Sequence, residues 1–260
     1  MSDKVFDPTG ARILVTNDDG VLAPGIEVLE RIARAFSDDV WIVAPESEQS
    51  AASHSLTLRR PLQIRQLTER KFSVNGTPTD SVLVAQKKIL VDGPAEIVLS
   101  GVNRGANLGE DVSYSGTVAA ALEGASLGLP AIAFSQVYEP GESIHWATAE
   151  HYGVEVLKRL SGFAWPRGTL LNVNFPPCPA GEVSGIRAGA QGFREADVEL
   201  VDYQSPHGHP FVWIGDFSSN KSQTDGSDLS IVDEGAVSVT PLHLDMTHQP
   251  LLQQLRESFQ

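Results

Sequence analysis

The sequence predicts an α/β fold, an open and mostly parallel sheet flanked by helices, and three observations predict it. Short apolar runs recur along the first two thirds of the chain, at Ile13-Leu14-Val15, Trp41-Ile42-Val43, Ile97-Val98-Leu99, Ala131 to Phe134 and Leu170 to Phe175. Such runs are the pattern of strands buried on both faces. Stretches with helical spacing of apolar residues lie between them, and the first three runs each end in a polar or glycine-rich turn.

Met1 to Gly10 is polar and reads as a frayed tail. After the run at 13–15, Asn17-Asp18-Asp19-Gly20 stops the strand. Pro24-Gly25 then opens a helix with Ile26, Leu29, Ile32, Ala33 and Phe36 on one face. With the run closed by Ala44-Pro45, this is one right-handed βαβ unit. Residues 46–80 are polar, with Thr57-Leu58 and Phe72-Ser73-Val74 as weak strand candidates. Asp80 to Leu90 reads as a helix that Asp80 is suited to cap. The third run ends in Ser100-Gly101-Val102-Asn103, a glycine-rich loop runs to Gly116, and Thr117 to Leu127 is an alanine-rich helix. Ala147 to Leu160 fits a helix between the last two runs. Beyond residue 180 Gly, Ser and Asp increase, Phe211-Val212-Trp213-Ile214 and Val237-Ser238-Val239 read as strands, and Leu251, Leu252, Leu255 and Phe259 mark a closing helix. The expected organisation is a tail over 1–10, an α/β core over 11–180, and a β-rich extension with a final helix over 181–260 that packs on a partner subunit.

Composition narrows the function. The chain has 260 residues, 41% hydrophobic and 20% charged, enough to bury roughly 70–75% of its unfolded surface. Its formal charge of −14 argues against a nucleic-acid backbone as partner, because phosphate neutralisation needs clustered cations. One cysteine, Cys178, excludes an internal disulfide and a cysteine zinc site. The start has no apolar run of signal-peptide length, and Val118 to Phe134 is broken by Glu123, glycines and Pro130, too short to span a bilayer. A soluble, cytoplasmic protein with no membrane partner is expected.

Asp18-Asp19 follows the first run, Ser50 lies just beyond the second and Asn103 just beyond the third. In an open parallel sheet the carboxyl ends of the strands share one rim, where ligands bind. Two carboxylates, a hydroxyl and an amide oxygen are hard donors that suit Mg²⁺, Mn²⁺ or Ca²⁺. The glycine-rich loop and Ser115-Gly116-Thr117 at a helix start form an anion site, and cation plus phosphate cradle points to phosphoryl chemistry. Other motifs fail. Gly124-Ala125-Ser126-Leu127-Gly128 ends a helix instead of following a strand. No P-loop exists, and the first βα turn lacks the dinucleotide fingerprint, which argues against an oxidoreductase. The same ligands would also serve a non-catalytic metal and nucleotide sensor.

These residues carry a resemblance. Val15-Thr16-Asn17-Asp18-Asp19-Gly20-Val21 with Ala23-Pro24-Gly25-Ile26, Val43-Ala44-Pro45, Ser55-Leu56-Thr57, Asn75-Gly76-Thr77-Pro78-Thr79-Asp80, Ser100 to Gly109, Tyr114 to Ala121, Val232-Asp233-Glu234-Gly235 and Val239-Thr240-Pro241-Leu242 together resemble the SurE family of survival proteins and 5′-nucleotidases, in order, from about residue 11 to 245. The resemblance implies a Rossmann-like core, a C-terminal extension exchanged between subunits, and a homodimer or homotetramer. It implies one divalent ion per subunit, Mg²⁺ or Mn²⁺, held by Asp18, Asp19, Ser50 and Asn103. The implied activity is hydrolysis of nucleoside 5′-monophosphates, with 3′-monophosphates and short polyphosphate as further substrates. On that reading Asp18 or Asp19 accepts the proton of the attacking water, and backbone N–H groups near Gly105, Ser115, Gly116 and Thr117, with the Asn107 side chain, hold the phosphate oxygens.

Overall fold

The computed structural model describes residues 4–194, 196–205, 207–219 and 224–259. In chain order the strands and helices are β1 (Lys4–Val5), β2 (Ile13–Thr16), α1 (Pro24–Arg34), β3 (Val40–Pro45), β4 (Ile64–Thr68), β5 (Lys71–Val74), α2 (Pro78–Val84), β6 (Ile97–Arg104), α3 (Gly116–Ser126), β7 (Ala131–Gln136), α4 (Trp146–Leu160), β8 (Ala164–Trp165), β9 (Thr169–Phe175), β10 (Ile186–Ala188), β11 (Ala196–Gln204), β12 (Pro210–Ser219), α5 (Asp228–Asp233), β13 (Val237–His243) and α6 (Gln249–Ser258).

Nine strands form one sheet in the order β10-β13-β9-β7-β6-β2-β3-β5-β4. From β9 to β5 every neighbouring pair is parallel, and β4 and β13 add antiparallel pairing at the two flanks. The chain runs outward from β2 through β3 to β5, then returns to β6 on the other side of β2. That reversal opens a crevice at the carboxyl ends of β2 and β6, where α/β sheets bind ligands.

The alternation within β2 shows why the sheet is covered on both faces. Ile13 and Val15 point to one side, with Ile26, Leu29 and Ile32 of α1 and Leu157 of α4. Leu14 points to the other, with Val82 of α2 and Val118, Ala121 and Ala125 of α3. Each fully buried Leu or Ile contributes about 1.5–3 kcal/mol relative to exposure, so both layers are needed. α1 begins at Pro24, whose missing N–H costs nothing at a first helical position, and it carries Glu27 in its first turn and Arg31 and Arg34 in its last, as the helix dipole favours. Gly25 brings α1 against β6: a Cβ there would lie 1.9 Å from the Val102 carbonyl oxygen.

Several expectations need correction. The start is not frayed from residue 4 onward: β1 pairs with β8, and Phe6 is fully buried against Trp165. Thr57-Leu58 forms no strand, because the Thr57 N–H donates to Asp80 Oδ1 at 3.0 Å and Leu58 is exposed. Asp80 does not cap its helix. Thr77 is the cap, and Asp80 stands three residues on, accepting the Thr77 N–H in a reciprocal capping box. Beyond Val84 the coil widens into a π-helical segment, Ala85–Ile89. β6 runs through Asn103 instead of ending before it. Two strands from beyond residue 180, β10 and β13, complete the sheet.

Packing at Gly25 yields a stability test. Gly25→Ala should lower unfolding free energy by at least about 2 kcal/mol, as overpacking against backbone does. Gly181→Ala, where an added Cβ meets nothing within 4 Å, should stay within about 0.5 kcal/mol of the parent. Urea melts of the two variants check this.

Candidate active site

Asp18, Asp19, Ser50 and Asn103 all line one open cavity of about 440 Å³, together with Glu48, Ala51, Arg104, Asn107, Asp111, Tyr114, Ser115 and Tyr138. The rim is assembled by loops tied across strands. Asn17 Nδ2 donates to the Gly20 carbonyl at 2.9 Å, closing the turn after β2. The Gln49 N–H donates to the Asp18 carbonyl at 2.8 Å, joining the loops after β2 and β3. In the second loop Ala51 and Ser53 adopt left-handed backbone, φ 58° and 50°, a conformation that costs a non-glycine residue of order 1 kcal/mol and recurs at functional sites. The Ser53 hydroxyl secures it by donating to the Ser113 carbonyl at 2.9 Å.

Asp18 lies almost fully buried at the N-terminus of α3. Gly116 makes room, since a Cβ there would stand 2.8 Å from the Asp18 Cβ. The Thr117 hydroxyl donates to Asp18 Oδ1, and the Thr117 backbone also bonds this carboxylate. Burial pushes the Asp18 carboxyl up to about 6; the Thr117 hydroxyl opposes that rise and the charge of Asp19 adds to it. Burial likewise raises Asp19, against the Arg104 N–H that donates to its Oδ2 at 3.1 Å and with the charge of Glu48. The Ser50 hydroxyl gives its proton to Glu48 Oε1 at 2.7 Å, which leaves its lone pairs free. Asn103 Nδ2 donates to the Gly105 carbonyl at 3.0 Å, which leaves its amide oxygen as the group available to a cation.

This donor set fits a hard divalent ion. Two crowded carboxylates held uncomfortably close are relieved by positive charge, and the two neutral donors are oxygens with their protons directed elsewhere. Among the described residues no three His, Cys, Asp or Glu side chains converge as a metal-binding group, so the set is a mixed one of two carboxylates with a hydroxyl and an amide.

The residues expected to hold phosphate separate into two kinds. Asn107 and Ser115 line the cavity. The N–H of Gly105, however, donates to the Gln136 carbonyl at 3.0 Å, and the N–H of Ser115 to the Asp111 carbonyl at 3.0 Å. Gly116 and Thr117 serve Asp18, so the anion at the head of α3 is the protein's own carboxylate.

Two sets of neighbours escaped the sequence reading. Asn107 is clamped from below by buried amides of β9. Its N–H donates to Asn174 Oδ1 at 2.9 Å, its carbonyl accepts from Asn172 and Asn174 at 2.7 and 3.1 Å, and its own Nδ2 donates to Ser135 at 2.8 Å. The available signal was Leu-Asn-Val-Asn, two amides on one face of an otherwise buried strand. The second set comes from beyond residue 180. Asp228 accepts the N–H groups of Gly109 and Gly192 at 2.9 and 2.7 Å, and Arg194 pairs with Glu110 at 2.9 Å and with Asp111. Cys178 stays outside the site; burial and the charge of Glu182 push its thiol up.

The raised Asp18 carboxyl gives a pH test. A carboxyl with a raised folded value adds full relative stability below about pH 4, where both states are protonated, and loses it as pH rises through about 6. The loss is on the order of 3 kcal/mol. Chelated protein should therefore melt progressively lower from pH 4.5 to 7.5, and Asp18→Asn should flatten that slope. Mg²⁺ or Mn²⁺ should raise the melting temperature more at pH 7.5 than at pH 5. Parallel slopes for both proteins would contradict the burial argument.

A sequence profile described as "Survival protein SurE" matches residues 13–197. The chain is 51% identical to a 5′-nucleotidase SurE of Paramagnetospirillum magneticum, covering 98% of each, and 50% identical to that of Erythrobacter litoralis, covering 96% of this chain and 100% of the relative. A crystal structure of the SurE protein from Aquifex aeolicus superposes with a TM-score of 0.83 at 36% identity, covering 95% of this chain and 99% of that one. The matched span contains every ligand candidate from Asp18 to Asn103, and the chain belongs to the SurE family.

Proposed function

We propose that the chain is a 5′-nucleotidase, a phosphomonoesterase that releases phosphate from nucleoside monophosphates in a divalent-metal-dependent reaction. The observation that carries this reading is the meeting of four hard oxygen donors from three separate strand ends in one cavity, in a chain whose relatives bear the 5′-nucleotidase name.

Asp18, Asp19, Ser50 and Asn103 hold one Mg²⁺ or Mn²⁺. When bound, the ion supplies positive charge where the phosphoryl oxygens gain negative charge. Thr117 fixes Asp18 in position. Asp19 is less buried and faces the cavity, so it accepts the proton of the attacking water. Asn107, clamped by Asn172 and Asn174, presents its side chain to the phosphate. Two aromatic rings, Tyr114 and Tyr138, stand at the same cavity and offer apolar surface to a nucleoside.

Assembly follows from surfaces the chain does not cover itself. Among the described residues β11 and β12 pair only with each other, and Tyr203, Phe211, Val212, Trp213 and Ile214 are all more than half exposed. A lone hairpin is marginal in water, and apolar side chains exposed on both of its faces, Phe211 and Trp213 on one and Val212 and Ile214 on the other, support burial against another subunit. The exposed Leu251, Leu255 and Phe259 at α6 support the same reading, with the 181–260 segment as the oligomerisation element of a homodimer or homotetramer.

A phosphate-release panel over nucleoside monophosphates, with metals restored one at a time after chelation, tests the activity. Asp18→Asn and Asp19→Asn should each lose roughly two or more decades of turnover while keeping the fold, the scale expected when a main electrostatic contribution is removed. Retained turnover in both ends the mechanism. Trp213→Glu should reduce the assembly mass in light scattering, and an unchanged mass would place the interface elsewhere.

A further inference from the structure

The cavity is strongly acidic. Asp18, Asp19, Glu48 and Asp111 line it, and among the described residues around it Arg104 is the one Lys or Arg. Arg194 already pairs with Asp111. Arg104 is different: among the described residues it takes part in no ion pair. Its guanidinium carbon rests 5.3 Å from the centroid of the Tyr138 ring, a cation–π arrangement that holds the side chain without neutralising it. Its backbone is anchored too, because its N–H donates to Asp19 Oδ2.

Charge balance gives this arrangement a purpose. A phosphomonoester carries close to two negative charges at neutral pH. Asp18, Asp19 and Glu48 face the cavity, and one divalent ion leaves these three carboxylates a net negative charge, to which Asp111 adds because it shares Arg194 with Glu110. That charge would repel the substrate, and a chain of net charge −14 adds no long-range attraction. The Arg104 guanidinium offsets part of that negative charge. Its planar fork of donors also matches two phosphoryl oxygens at once.

We infer that Arg104 is a substrate-binding residue, held ready on Tyr138 to grip the phosphoryl oxygens of a dianionic phosphomonoester, and that it sets the preference for that charge state. The inference deepens the nucleotidase reading and rests on it for the substrate, but its test reads phosphate binding directly.

Arg104→Met, Arg104→Lys and Tyr138→Leu are compared with the parent protein. Binding of inorganic phosphate is measured by calorimetry with Mg²⁺ and after chelation, alongside hydrolysis of AMP. Arg104→Met should weaken phosphate binding and raise KM by about tenfold or more with kcat little changed, as loss of a charged hydrogen-bonding partner that acts equally in ground and transition states predicts. The rise of KM with salt should flatten in that variant. Arg104→Lys should recover part of the affinity, and Tyr138→Leu should lose roughly two- to fivefold, the range of an exposed cation–π contact. Unchanged phosphate affinity in Arg104→Met overturns the assignment, as does a fall in kcat alone. If the parent hydrolyses no nucleotide but Arg104→Met still loses phosphate, the nucleotidase reading fails and the role of Arg104 stands.

Discussion

Asp18 is a carboxylate in a place where negative charge is expensive. It closes β2 at the bottom of the crevice, with Asp19 next to it and Glu48 nearby, and burial pushes its carboxyl up to about 6. The fold tolerates it because α3 starts directly beneath. Gly116 has no side chain to collide with it, Thr117 supplies hydroxyl and backbone, and the positive end of the helix dipole faces it. The approach of α3 to the sheet, the alanine-rich surface that permits so close an approach, and the crowding of acids at one rim are therefore a single constraint. Positive charge placed there would relieve that crowding.

Around this point the protein combines a rigid base with strained loops. The sheet is sealed by apolar layers on both faces, which fix the ends of β2, β3 and β6 by packing from both sides. The loop after β3 is bent into left-handed backbone at Ala51 and Ser53, and it is tied to the turn at 109–113 through Ser53. Asn172 and Asn174 carry hydrogen-bonding groups up through a buried strand to clamp the peptide unit of Asn107. Such amides would be costly in a core without partners. Their near-complete pairing explains how a polar loop keeps one geometry above an apolar sheet. The clasp of Asp228 and Arg194 on residues 109–111 gives the late segment of the chain a share in that geometry.

The buried runs at 13–15, 41–43, 97–99 and 131–134 were legible because a strand covered on both faces has to be apolar throughout. The helix at 24–34 was legible because its one buried face repeats at helical spacing. Asp18, Asp19, Ser50 and Asn103 could be grouped from sequence because they follow strand runs, and the carboxyl ends of parallel strands share a rim. Other features were hidden for stated reasons. Asp80 has the residue type of a cap, yet Thr77 takes that role, since both types satisfy the same N–H groups and only the backbone path selects between them. β4 is exposed along its length, so no periodicity marks it. The N–H groups of Gly105 and Ser115 looked free for phosphate, but their acceptors are carbonyls that folding brings to them.

The sequence by itself determined the α/β architecture, the family and the order in which candidate oxygen donors follow the strands, because these depend on residue type and on order along the chain. Only the tertiary structure decided which donors are spent inside the protein and which remain for a ligand. It also decided that the chain beyond residue 180 completes the sheet and clasps the site, and that the Arg104 guanidinium lies on Tyr138 without closing an ion pair among the described residues. Hydrogen bonds and charge pairs between distant segments exist only once packing has set their distances, and no local pattern of residues records them.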